Sequence, residues 1–219
     1  MTVRIWDLPV RLFHWAIVLL VPALWATHEW DMLDTHILLG EIMLGLVLWR
    51  LLWGVLGSST ARFASFVRGP GAVLNYLRSG GKAFGHNPLG GWSVVAMLLL
   101  LAVQVGLGLF AADEDALYEG PLAYRVSYET ARTFAHRHET VFWILVAIIS
   151  LRVLAIFYYR IVKRDDLITP MITGRGEAVA DAPALVPAPI WRFLLSVVLA
   201  IGMTLVFHYS HHLLPGGFL

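Results

Sequence analysis

Apolar residues in this chain fall in long runs separated by polar stretches. A helix needs ~20 mostly apolar residues to cross ~30 Å of hydrocarbon. Five runs reach or approach that length, and they predict helices over Pro9–Ala26, His36–Leu56, Trp92–Ala111, His138–Tyr159 and Ile190–Leu213. The first run is short and carries Pro22, so a kink is expected there, with neighbouring helices re-satisfying the freed carbonyl. It is expected to be retained rather than cleaved, because the following "HEWDMLDTH" is bulky and acidic and offers no small-residue cleavage site.

Two connectors carry patterns of their own. "TARFASFVRGPGAVLNYLRSGG" interleaves apolar residues with Arg and has no acid, which suits either a helix on an anionic inner leaflet or a plain basic loop. "GRGEAVADAPALVPAP" is rich in small residues and proline, and reads as a mobile linker that leaves the fifth span loosely tied to the other four. No internal repeat is visible beyond the helices.

Composition agrees with the runs. Of 219 residues, 58% are hydrophobic and 14% charged, whereas soluble domains carry about 25% charged residues. The expected fold class is therefore an all-α integral membrane helical bundle, in contact with lipid and with no nucleic-acid partner. The absence of cysteine excludes disulfides, thiolate-ligated zinc, iron–sulfur clusters and haem attached through C-x-x-C-H.

Charge orients the bundle. Arg4, Arg11, Arg50, Arg62, Arg68, Arg78, Lys82, Arg160, Lys163, Arg164, Arg175 and Arg192 fall on one side, and only Arg125, Arg132 and Arg137 on the other. The second side also carries Glu29, Asp31, Asp34, Asp113, Glu114, Asp115, Glu119, Glu129 and Glu139. By the positive-inside rule the N-terminus is cytoplasmic and the C-terminus outside, an alternation that five spans satisfy and four do not.

Ionisable groups inside a membrane are costly, so each marks a function or a specific partner. His14 lies near the inner end of span one, His36 and Glu41 in span two, Gln104 in span three, and His138 and Arg152 in span four. His28, His36, His136, His138, His208, His211 and His212 fall on the outer side, and His14 and His86 on the inner. Without cysteine, a buried histidine can relay protons, bind a metal ion or ligate haem iron. His36 and His138 begin their spans at the same outer depth. Gly40, one turn after His36, would let a flat macrocycle approach the backbone. Position alone leaves open that both are wetted interfacial histidines. Arg152 follows His138 by fourteen residues, ~21 Å and nearly four turns, so the two point the same way at different depths.

Several longer pieces carry a resemblance: "RIWDLPVRLFHW", "HILLGEIMLGLVLWRLLWGVLG", "GHNPLGGW", "HETVFWILVAIISLRVLAIFYYR" and "MITGRG". Over roughly Val3 to Gly176 the chain resembles bacterial cytochrome b561 and the b-type cytochrome subunit of nickel–iron hydrogenases. The resemblance implies a four-helix domain over residues 1–176, to which composition and hydropathy add a linker at 177–189 and a fifth transmembrane helix with a histidine-rich end at 190–219. It implies one or two b haems, the outer held by His36 and His138, the inner by His14 and a second span-four histidine. That last position holds Arg152, which stays protonated and cannot ligate iron.

The resemblance thus leaves three outcomes for the inner site. It is empty; or it holds a five-coordinate haem on His14, with Arg152 near a propionate or the open iron face; or His86 completes it. A structural, snorkelling Arg152 is a further reading. His208, His211 and His212 suggest an outer copper or zinc site, against the plainer reading of an imidazole-rich interfacial belt. Trp6, Trp15, Trp25, Trp30, Trp49, Trp53, Trp92 and Trp191 read mostly as interface anchors.

The expected function is electron transfer in the bacterial cytoplasmic (inner) membrane, between quinone and a periplasmic redox partner such as a c-type cytochrome or a hydrogenase-like subunit. The acidic Asp113, Glu114, Asp115 and Glu119 would steer a basic partner. Within the family the rival is a superoxide:quinone oxidoreductase, with Arg125, Arg132 and Arg137 attracting the anion. From other classes come a haem-free histidine-based metal-binding or transport protein, and a purely structural anchor for a partner enzyme.

Overall fold

The computed structural model describes residues 2–79, 85–115, 117–177 and 185–210, with the Ser79 side chain left aside. Five helices are long and apolar enough to cross a membrane: α1 (Leu8–Glu29), α2 (Leu33–Leu56), α5 (Pro88–Leu109), α6 (Tyr128–Ile161) and α8 (Ile190–His208). Shorter helices α3 (Phe63–Phe66) and α4 (Pro70–Ser79) follow α2, and α7 (Ile168–Thr173) follows α6. A short antiparallel pair joins β1 (Thr2–Arg4) to β2 (Arg175–Glu177). The chain is a helical membrane protein. Leu19, Val55, Leu151 and Leu154 are each 65–70% exposed, an arrangement that suits lipid and not water.

Helix ends follow local chemistry. Asp7 caps α1, its Oδ1 accepting the Val10 amide at 2.8 Å, with Pro9 in the first turn where an N–H is not needed. Asn87 does the same for α5, accepting the Gly90 amide at 2.6 Å, with Pro88 next. At the far end of α1, Asp31 takes a left-handed φ of 54° and turns the chain into α2. The "TARFASFV…" connector holds helix α4 rather than a plain loop. The fourth long helix begins at Tyr128, ten residues before the predicted start, with Ser127 at its head. Its first turns are polar, so hydropathy could not see them. At 34 residues, α6 is about 51 Å long and exceeds the hydrocarbon thickness. His138 therefore lies inside a helix and not at its mouth.

The described chain forms two compact units. The first comprises residues 1–14, 50–97 and 148–196. There Gly174 ends α7 at φ +79°, and its carbonyl accepts the amides of Ile5 at 2.8 Å and Trp6 at 3.2 Å. Arg11 bonds two further α7 carbonyls, Met171 at 3.3 Å and Ile172. The pieces "RIWDLPVR" and "MITGRG" thus meet in one strap. Beneath it Asp7, 6% exposed, also accepts Trp53 Nε1 at 3.1 Å and Ser58 Oγ at 2.5 Å. Trp6, Trp49 and Trp53 are buried, so these three are core residues and not the interface anchors expected; Trp15, Trp25, Trp30, Trp92 and Trp191 are exposed.

The second unit comprises residues 15–49, 98–147 and 197–219, of which those beyond 210 lie outside the described residues. Met43, Val47, Leu145 and Ala200 form its driest packing. A Cβ on Gly45 of α2 would meet Thr204 Oγ1 of α8 at 3.1 Å, so glycine sets how closely these helices approach. The fifth helix is not loosely tied. In the first unit Trp53 packs edge-on against Phe193 at 5.7 Å, and Ser59 and Val186 exchange two hydrogen bonds of 3.0 Å. In the second, His208 meets Glu41 and Ser210 Oγ bonds the Pro121 carbonyl. Most of the predicted linker, residues 178–184, lies outside the described residues.

Candidate functional site

The second unit brings His36 and His138 together. His36 lies in the first turn of α2 and His138 in the third turn of α6, and their ring centres stand 6.2 Å apart with planes 77° from parallel. His36 Nδ1 donates to the Leu24 carbonyl of α1 at 2.9 Å, and His138 Nδ1 to the Gln104 carbonyl of α5 at 2.9 Å. With Nδ1–H committed on both rings, Nε2 carries the free lone pair on both. This is the tautomer and the backing that a metal-ligating imidazole needs.

Small residues make the space. A Cβ on Gly108 would lie 3.1 Å from His138 Cε1, so glycine lets α5 pass that ring without displacing it. At Gly40, one turn along from His36, an added Cβ would meet nothing within 4 Å. Gln104 Oε1 is buried without a hydrogen-bond partner, although the same residue's carbonyl holds His138. A buried acceptor left this way calls for a further group. His28 stands beside the pair, its ring centre 5.9 Å from that of His36.

These features fit a haem. A metal–imidazole bond is about 2 Å, so two imidazoles that would hold one metal must bring their ring centres within several ångströms of each other. The 6.2 Å separation meets that requirement.

The first unit holds the other candidates. Arg152 of α6 donates from Nη1 to Ser93 Oγ of α5, and its guanidinium acts electrostatically on His14 and on His86. His86 precedes α5, wedged between Trp6 at 4.6 Å and Phe66 at 4.5 Å, and its Nδ1 is buried without a hydrogen-bond partner. Burial, and after it the Arg152 and Arg50 charges, push His86 down to about 3, so it is a neutral base at ordinary pH. Arg152 stands where the resemblance places the second span-four histidine of an inner haem, and a guanidinium offers iron no lone pair.

Of the C-terminal histidines, His208 places Nδ1 at 2.9 Å from both Glu41 carboxylate oxygens, while His211 and His212 lie outside the described residues. Arg132 pairs with Glu114 at 3.4 Å and Arg125 stacks on Tyr124 at 5.0 Å. Reading the sequence found the two facing histidines and Gly40. It missed Gly108, His28 and the Leu24 and Gln104 carbonyls, because a backbone acceptor on another helix leaves no mark in the residue pattern.

An all-helical membrane bundle with two backed imidazoles facing each other belongs to the membrane cytochromes. The family model of prokaryotic cytochrome b561 matches residues 5–174, and the chain belongs to that family. No curated protein and no solved structure matches it. The protein is a multi-pass membrane b-type cytochrome of electron transfer, and the family implies b-type haem.

Proposed function

We propose that this cytochrome carries one b haem, held by His36 and His138, and passes single electrons between quinone and a redox partner outside the bacterial inner membrane. The observation that carries the reading is the pair of imidazoles 6.2 Å apart, each tied through Nδ1 to a carbonyl of a third helix. When bound, the haem supplies reversible one-electron chemistry. The chain supplies the rest. The Leu24 and Gln104 carbonyls fix ring orientation and raise ligand basicity, Gly108 admits the His138 ring, and Gly40 leaves room beside His36.

Arg152 gives the count of one. Its guanidinium has no lone pair for iron, and it is engaged with Ser93. His14 then serves no metal, and electrons enter and leave through the haem of the second unit alone. The N-terminus is read as cytoplasmic from the charge alternation, which places the acidic loop outside. Glu114, Asp115 and Glu119 are exposed there and would steer a basic partner such as a c-type cytochrome or a hydrogenase-like subunit. Arg125 and Arg132 have partners of their own, so nothing singles out a superoxide path.

The test is haem per polypeptide by pyridine haemochrome. Wild type should hold one haem, His36→Ala and His138→Ala none, and Arg152→His two. A wild-type Soret band in both alanine variants would remove the assignment.

A further inference from the structure

We propose that Glu41 and His208 form a quinol-binding, proton-accepting pair in the second unit. The proposal rests on the electron-transfer reading above and names the side chains that meet its quinone partner.

Glu41 lies two turns inside α2, where a carboxylate is costly, and its side chain is 14% exposed. His208 comes from α8, beyond the segment matched to the family, and is 47% exposed. Its Nδ1 sits 2.9 Å from both carboxylate oxygens. Nδ1–H donates to Glu41, so the acceptor lone pair is left on Nε2 of a ring that remains half open. One turn further along α2 and one turn back along α8, Gly45 meets Thr204, and that contact already joins the two helices. The carboxylate–imidazole pair is the arrangement by which a carboxylate orients an imidazole and stabilises the cation formed when the imidazole takes a proton.

A lipid-soluble hydroquinone is the ligand class with matching chemistry. It arrives through the membrane, presents hydroxyls that need an acceptor, and must shed protons when oxidised. On oxidation the O–H bond breaks and its proton moves to His208 Nε2. The two electrons would leave one at a time to a one-electron acceptor, the chemistry that bound haem would supply, re-oxidised by the redox partner between them. The second proton follows the same route after the imidazole has released the first to water. One hydroquinone would thus become one quinone, two protons and two electrons delivered singly. Glu41 is a positioning residue and His208 the proton acceptor. The pair stands apart from the haem ligands: Glu41 is five residues from His36, about 7.5 Å along α2 and roughly 140° around it.

The experiment uses the full chain with its haem in lipid nanodiscs, and decyl-tailed ubiquinol as the probe. Pyridine haemochrome is recorded first, and absence of haem in wild type would overturn the electron-transfer reading itself. Stopped-flow haem reduction is then followed with the quinol and, separately, with dithionite, which delivers electrons without a proton to place. His208→Gln keeps a hydrogen-bond partner for Glu41 but has no basic nitrogen. This variant and Glu41→Gln should retain haem and full dithionite reduction while losing about 100-fold in the quinol rate, with Glu41→Asp restoring part of it. Wild-type quinol rates in both variants, loss of haem from both, or a haem-loaded wild type that the quinol does not reduce would each overturn the proposal.

Discussion

Replacing Gly108 by alanine tests the imidazole pair without touching either histidine. The added methyl would lie 3.1 Å from His138 Cε1 and 3.3 Å from Nδ1, against about 3.5–4.0 Å for carbon atoms at rest. The ring must therefore move by several tenths of an ångström. That motion works against the 2.9 Å bond to the Gln104 carbonyl, which is worth about 0.5–1.5 kcal/mol. Disturbing the backing of a metal-bound histidine costs about 10–100-fold in affinity. We expect haem transfer from Gly108→Ala to apomyoglobin to run about tenfold faster than from wild type, with a shifted low-spin EPR signal. Gly202→Ala, where an added Cβ meets nothing within 4 Å, is the control and should be silent. Equal transfer rates and identical EPR spectra in wild type and Gly108→Ala would refute the reasoning.

Three further outcomes are expected. Gly40→Leu places a side chain where the protein alone leaves open space, so it should fold normally yet purify with less than half the wild-type haem, read by absorbance per chain. Asp7→Asn keeps one acceptor oxygen but turns an NH2 towards donors already held; Ser58 can rotate its hydroxyl and Trp53 cannot, so thermal unfolding in detergent should show a loss of about 3 kcal/mol. His86, depressed to about 3, is neutral in the fold, whereas the unfolded chain takes up a proton below about 6.5. Stability from this residue is present at neutral pH and is lost as pH falls below 6.5. His86→Phe should thus be less acid-sensitive than wild type by about 2 kcal/mol between pH 7 and pH 5, measured by urea unfolding at both.

The membrane helices were legible because crossing hydrocarbon demands unbroken apolar length, a signal that needs no knowledge of neighbours. Four of the five begin or end within a few residues of the expected limits. The fourth starts ten residues early, since Tyr128 to Arg137 is helical for reasons of capping at Ser127 and not of hydropathy. Depth and residue type placed His36 and His138 at one level, and only the family resemblance implied that they pair; the structure sets their ring centres 6.2 Å apart. What holds them was not legible: the Leu24 and Gln104 carbonyls are present in any sequence, and Gly108 looks like any small residue in a span. The part played by Asp7 was not legible, because its three donors come from positions up to 51 residues away. The fifth helix was misjudged because proline and alanine before it signal freedom, while its anchors, Phe193, Thr204 and His208, act at long range.

The strand pair at the chain's beginning sets a schedule for biosynthesis. Thr2 bonds in register with Glu177, so a strand made early must wait for a partner 175 positions later. At about 5–20 residues per second that delay is roughly ten to thirty-five seconds. The clasp closes just after the family segment ends at residue 174 and before Ile190 opens the last helix. The four long helices of the family segment can be latched together before α8 has left the ribosome.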